Sequence, residues 1–108
     1  MIPRGEREFV DCPLRFTRED GVSGDGRVFN ISIAGCAVRS ATRVTEGMYV
    51  SLIIDLPGEG PPVWIELART RWATSEEFGV QFVMLSQKDR RALLRWLVAA
   101  ASQRSGQR

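Results

Sequence analysis

Asn30, Ser32 and Gly35 stand in the stretch "NISIAGCAV", the first two separated by one apolar residue and the third closing the run. In an extended strand, residues two apart share a face. Asn30 and Ser32 would then set an amide and a hydroxyl side by side on the outer surface, with Ile31 and Ile33 turned to the core. Gly35 has no Cβ, so it either permits a positive φ in a turn or lets another group approach the backbone closely. Two chemistries follow. The amide and hydroxyl can hydrogen-bond a flat polar edge such as guanine, or they can cap their own turn, because Asn and Ser bond local backbone well. The three residues alone leave both open.

No other constellation offers reaction chemistry. The chain contains no histidine, which removes the commonest general base and any Ser–His–Asp arrangement. The GxSxG, GxxxxGK[ST] and GxGxxG patterns are absent. Asp55 and Glu66 read as solvated strand-edge carboxylates rather than an acid–base pair. Cys12 and Cys36 lie in apolar surroundings with no CxxC, which reads as two buried thiols and not a zinc site. The expectation is a non-enzymatic protein with no catalytic residues, no metal and no cofactor.

The net charge of +2 is too small to argue for nonspecific nucleic-acid binding. Of the 15 basic residues, however, only Lys88 is a lysine. Arginine's planar five-donor fork suits phosphates and guanine edges. An anion site and the compositional bias of a genome rich in G and C both account for that preference.

The elements that must position these residues follow from periodicity. A chain of 108 residues, 44% hydrophobic and 26% charged, has the balance of one ordinary globular domain. No apolar run approaches the ~20 residues of a membrane span, and "MIPRGEREF" lacks a signal-peptide core. A cytoplasmic address without membrane insertion is expected. Residues 1–9 read as a flexible, arginine-bearing arm. Six strands follow at turn-separated intervals: Val10–Arg18, Gly26–Ile33, Cys36–Ser40, Met48–Leu56, Val63–Ala73 and Phe78–Leu85. This pattern argues for an antiparallel barrel or sandwich. Ser86 and Asp89 then resemble a capping box, predicting a helix over about 86–102. Leu93, Leu94, Leu97, Val98 and Ala101 form its apolar stripe; Trp96, roughly 130° away, either packs on arginines of the same helix, the expected arrangement, or meets a partner. Residues 10–102 thus make the folded unit, and 103–108 a polar tail.

Arm, Asn-x-Ser-x-x-Gly run, "ELARTRW", "FGVQF" and terminal helix, in this order, resemble the PilZ family over roughly Arg4 to Val98. Asn30, Ser32 and Gly35 match that family's [Asp/Asn]-x-Ser-x-x-Gly motif, and Gly79-Val80-x-Phe82 is a weaker match. The resemblance implies an all-β fold with a C-terminal helix: a six-stranded antiparallel β-barrel packed against or capped by one α-helix. It also implies a receptor for the bacterial second messenger cyclic di-GMP, which would signal through an unidentified protein partner. Arg4 and Arg7 from the arm, with Asn30, Ser32 and Gly35 from the barrel, would hold the dinucleotide.

The family's arm motif is Arg-x-x-x-Arg, and here the sequence departs from it. Arg7 falls at the first position and Asp11 at the second, while Arg4 and Arg7 are three apart rather than four. A carboxylate ~4 Å from a phosphate is opposed by ~1 kcal/mol in water and more at a partly buried site. The missing charge-assisted bond costs a further ~1.5–3 kcal/mol. Together these amount to roughly two to three orders of magnitude in affinity. The alternative implication is a divergent PilZ-like domain that has lost cyclic di-GMP binding and works as a protein–protein interaction module.

Overall fold

The computed structural model describes residues 7–105, so Arg4 and most of the expected arm lie outside the described residues. Six strands and one helix follow in order: β1 (Glu8–Arg18), β2 (Ser23–Ile31), β3 (Gly35–Arg39), β4 (Tyr49–Ile54), β5 (Val63–Ala73), β6 (Glu77–Met84) and α1 (Gln87–Ser105). Every pairing is antiparallel, and the sheet closes on itself in the order β1-β2-β3-β6-β5-β4. The expected all-β barrel with a C-terminal helix is the fold observed.

Period-two alternation fills the interior. Cys12, Leu14 and Phe16 of β1 point inward, as do Val50, Leu52 and Ile54 of β4, all nearly inaccessible to solvent. Phe16 meets Phe78 edge to face with ring centroids 5.2 Å apart, joining opposite walls of the core. Bulges break the alternation where the barrel must bend. On β5, Ile65 and Ala68 both face inward because the register against β4 slips between Leu52 and Val50. On β2, the register against β3 slips between Val28 and Asn30, with Phe29 as the extra residue.

That slip, and an early strand end, change two expectations near the opening motif. β1 begins at Glu8 rather than Val10, so Glu8 and Phe9, expected in the arm, are strand residues. β2 ends at Ile31, so Ser32 belongs to the β2–β3 turn and does not share a strand face with Asn30.

The capping box is observed at the helix. The Asp89 backbone N–H donates to Ser86 Oγ at 3.0 Å, and Ser86 Oγ–H donates to Asp89 Oδ2 at 2.7 Å. Asp89 Oδ1 also accepts the Trp64 backbone N–H at 3.1 Å, which fixes the helix start to β5. The apolar stripe is rotated from its expected place. Leu93 and Leu97 are fully buried, but Leu94 and Val98 are 40% and 47% exposed. Trp96 replaces them against the core, and its indole N–H donates to the Pro57 carbonyl at 3.0 Å. The expected packing of Trp96 on arginines of its own helix gives way because that bond draws the indole toward the β4–β5 loop.

Candidate functional site

The expected site residues Arg7, Asn30, Ser32 and Gly35 all line one pocket of about 370 Å³ on the outer wall of the barrel, over β3 and β6. Its floor is built from residues with little or no side chain. Ala37 of β3 pairs with Gly79 of β6, and Gly79 pairs in turn with Trp72 of β5. A Cβ on Gly79 would sit 2.2 Å from Trp72 Nε1, so the indole lies directly over this glycine. A Cβ on Gly35 would meet the Val80 carbonyl oxygen at 2.1 Å. Of the two reasons for a glycine at 35, close approach holds: its φ is not positive, and the approaching group is the neighbouring strand's own backbone.

The rim carries the polar groups. Arg7 Nη1 donates to Asn30 Oδ1 at 2.8 Å, joining the residue before β1 to the end of β2 across 23 positions of sequence. Arg71 of β5 lines the opposite side, beside Trp72, with Gln81 of β6 nearby. Arg71 is exposed, and its guanidinium has no ion-pair or hydrogen-bond partner among the described residues. The lining therefore holds two guanidiniums and, among the described residues, no carboxylate. This combination attracts anions.

Ser32 departs from its expected placement on the outer surface beside Asn30. It is fully buried. Its Oγ accepts the Ala34 N–H at 3.1 Å and donates to the Gly35 carbonyl at 3.4 Å, while its own N–H donates to that same carbonyl at 2.8 Å. The hydroxyl closes the β2–β3 turn that presents Gly35. Asn30 and Ser32 thus divide the two roles the sequence left open, Asn30 facing the pocket and Ser32 capping the turn.

Asp11 stands outside the pocket lining, with its side chain 79% exposed. Its Oδ1 accepts from Arg27 Nε at 2.7 Å, and its backbone carbonyl accepts from Arg27 Nη2 at 3.4 Å. Further along the same outer face, Arg39 pairs with Glu77 at 2.8 Å and lies over the Phe29 ring at 4.8 Å.

Cys36 lies beneath the pocket, and burial pushes its thiol up to about 12 despite the opposing pull of Arg7. Burial likewise pushes the Cys12 thiol up to about 11, with Arg27 opposing. Both cysteines are free. Neither has thiolate character near neutrality, which fits packing rather than reactivity.

Sequence reasoning missed Arg71, Trp72 and Gln81 as pocket residues. They sit in "ELARTRW" and "FGVQF"; strict alternation would put Arg71 and Trp72 on opposite faces, but the β5–β6 register slips between Thr70 and Trp72 and turns both outward. The pairing of a large outward residue, Trp72, with a glycine on the next strand is visible once the β5–β6 register is known.

Among the described residues no cluster of potential metal ligands exists, and no helix is long and apolar enough to cross a membrane. No curated protein matches the chain in sequence. Solved structures do match. The PilZ domain of CeSA from a cellulose-synthesizing bacterium is 17% identical, with 88% of this chain and 97% of that one covered and a TM-score of 0.69. The PilZ domain of YcgR from Escherichia coli, solved with c-di-GMP, is 14% identical over all of both chains, with a TM-score of 0.74. The inhibitor of motility MotI/DgrA of Bacillus subtilis is 22% identical over all of this chain but 58% of its own, also at 0.74. Identities this low speak for the fold. A family profile described as PilZ domain matches residues 3–99, nearly the whole length, and the chain belongs to the PilZ domain family.

Proposed function

We propose that the chain is a non-enzymatic receptor for cyclic di-GMP, acting in the cytoplasm and signalling through a protein partner. The observation that carries this reading is the pocket's composition: two guanidiniums, an amide and a tryptophan indole around a floor of glycine and alanine, with no carboxylate in its described lining. A cyclic dinucleotide offers two phosphates and two guanines. Arg7 and Arg71 suit the phosphates, because a guanidinium bonds a phosphate bidentately. Asn30 suits a guanine edge, where an amide supplies both a donor and an acceptor. The Trp72 face, backed by Gly79, suits base stacking, a contact worth about 1–3 kcal/mol per base. In this reading Gly35 lets β3 and β6 close together beneath the ligand, and Ser32 acts by holding the turn. The segment ahead of β1 acts as the arm in this reading, with Arg4 a further cation for the ligand.

The rival reading, a domain that has lost the nucleotide, rests on Asp11 at the second arm position. The Asp11–Arg27 pair argues against it. A carboxylate held by its own guanidinium and outside the lining opposes an anionic ligand far less than one aimed into the site. Arg71 supplies, from across the pocket, the second cation that position 11 lacks. Titration calorimetry with cyclic di-GMP tests the reading. Saturable binding that falls at least about tenfold in Arg7→Ala and Arg71→Gln is expected. Absence of heat with the native chain at millimolar ligand would overturn it.

A further inference from the structure

Charge is segregated along this chain. Residues 1–86 carry nine arginines against twelve carboxylates, a net of −3, whereas residues 87–108 carry six cations against Asp89 alone, a net of +5. The chain's modest +2 conceals this division. Most of the positive charge sits on α1. Its Lys88, Arg90, Arg91 and Arg95 are exposed, and none of these side chains has an ion-pair or hydrogen-bond partner among the described residues. Asp89 is taken up by Ser86 and the Trp64 backbone.

The same outward face carries the apolar pair left over when the buried stripe rotated. Leu94 and Val98 are one turn apart and exposed, and Arg91 and Arg95 are one turn apart beside them. The opposite side of the helix, with Leu93 and Leu97, is sealed against the barrel. Among the described residues, α1 contributes none to the pocket lined by Arg7, Asn30 and Arg71. Its one aromatic residue, Trp96, is committed to Pro57. Tight protein interfaces centre on an aromatic or arginine anchor desolvated in a pocket, and this face offers a convex ridge instead. A convex row of cations flanking a short apolar ridge is complementary to an extended sheet of phosphates over hydrocarbon.

We infer that the outward face of α1 adsorbs to an anionic phospholipid surface, with Lys88, Arg90, Arg91 and Arg95 on headgroups and Leu94 and Val98 at the acyl boundary. The helix stays packed on the barrel and lies on the bilayer without crossing it. This inference stands independently of the nucleotide pocket. Co-sedimentation of the full chain with vesicles of phosphatidylcholine, with or without about one-third phosphatidylglycerol, tests it. Partition onto the anionic vesicles alone is expected, reversed when salt rises from about 0.1 M to about 1 M and the Debye length shrinks from ~10 Å to ~3 Å. The double variant Arg91→Glu/Arg95→Glu should lose about 25-fold or more in partition, near fivefold for each cation removed. Equal partition onto both vesicle types, no partition onto either, or an undiminished double variant would each overturn it. Failure on vesicles combined with Arg91- and Arg95-dependent binding of an acidic amphipathic peptide would reassign the face to a protein partner. The salt series on the native chain needs no variant to fold.

Discussion

Asp11 and Arg27 face each other across β1 and β2, with Nε 2.7 Å from Oδ1, outside the pocket that Arg7 and Asn30 line. The carboxylate at the second arm position is therefore held by its own cation. Replacing Asp11 with Asn should change cyclic di-GMP affinity less than about threefold, because an exposed paired charge acts weakly. Arg27→Ala, which releases that carboxylate, should weaken binding more than Asp11→Asn does. Calorimetry on the two variants checks the order, and a large gain in Asp11→Asn would contradict it.

Arg71 and Trp72 should matter to the ligand and little to the fold. Both are exposed, and neither contributes to the core. Trp72→Ala should cost about 1–3 kcal/mol of binding through lost stacking, or roughly 5- to 150-fold. The same protein should unfold in urea near the native midpoint. Cyclic di-GMP should alter the native tryptophan fluorescence, and this response should vanish in Trp72→Ala.

The two glycines of the pocket floor should respond differently to alanine. At Gly35 the new methyl collides with the Val80 carbonyl, a backbone atom on the paired strand. β3 and β6 must then part, at a cost of about 1–3 kcal/mol or more. At Gly79 the obstacle is the Trp72 side chain, which can swing aside. Gly79→Ala should therefore fold nearly as well as the native chain but bind poorly, its stacking surface displaced. Chemical denaturation beside ligand titration separates the two.

Two buried hydroxyls should give opposite signs. Ser32 Oγ satisfies the turn that presents Gly35, so Ser32→Ala should destabilise by about 1 kcal/mol. Thr70 Oγ1 is buried without a hydrogen-bond partner among the described residues. Thr70→Val keeps the shape and removes the unsatisfied group, and should stabilise by about 1 kcal/mol. Thermal melts of both variants test the pair of signs.

The thiols predict alkaline behaviour. Burial raises both above their ordinary value of 9.0, Cys12 to about 11 and Cys36 to about 12. The folded chain therefore holds these protons more tightly than the unfolded chain does. Their contribution is intact below pH 9 and is lost as pH rises through 11 and 12, with a limiting slope of about 1.4 kcal/mol per pH unit for each thiol. Urea midpoints should be level from pH 7 to 9 and fall above that. At neutral pH neither cysteine should react with a thiol reagent until the chain unfolds.

Six strands and a capped helix were legible because alternation, turn residues and the Ser86–Asp89 pair are local signals, written within a few residues of where they act. The rotation of α1 was not. It depends on Trp96 reaching Pro57 and on Asp89 reaching Trp64, contacts 39 and 25 positions apart. Half of the site was equally local: the spacing of Asn30, Ser32 and Gly35 marked the β2–β3 turn. Which of them faces the pocket was decided by the end of β2 at Ile31 and by the bulge at Phe29, neither of which has a side-chain signature here. Arg71 joined the site through the β5–β6 register alone.

The closure of β1 against β4 has a consequence for how the molecule can communicate. An open sheet can recruit another chain by lending it an unpaired edge. Here each strand has a neighbour on both sides, so most main-chain complementarity among the described residues is spent within the barrel, although β1 meets β4 only from Leu14 to Arg18. A partner docking on the closed wall meets side chains, and an event at Arg7 or Trp72 reaches it through the surface that those side chains compose.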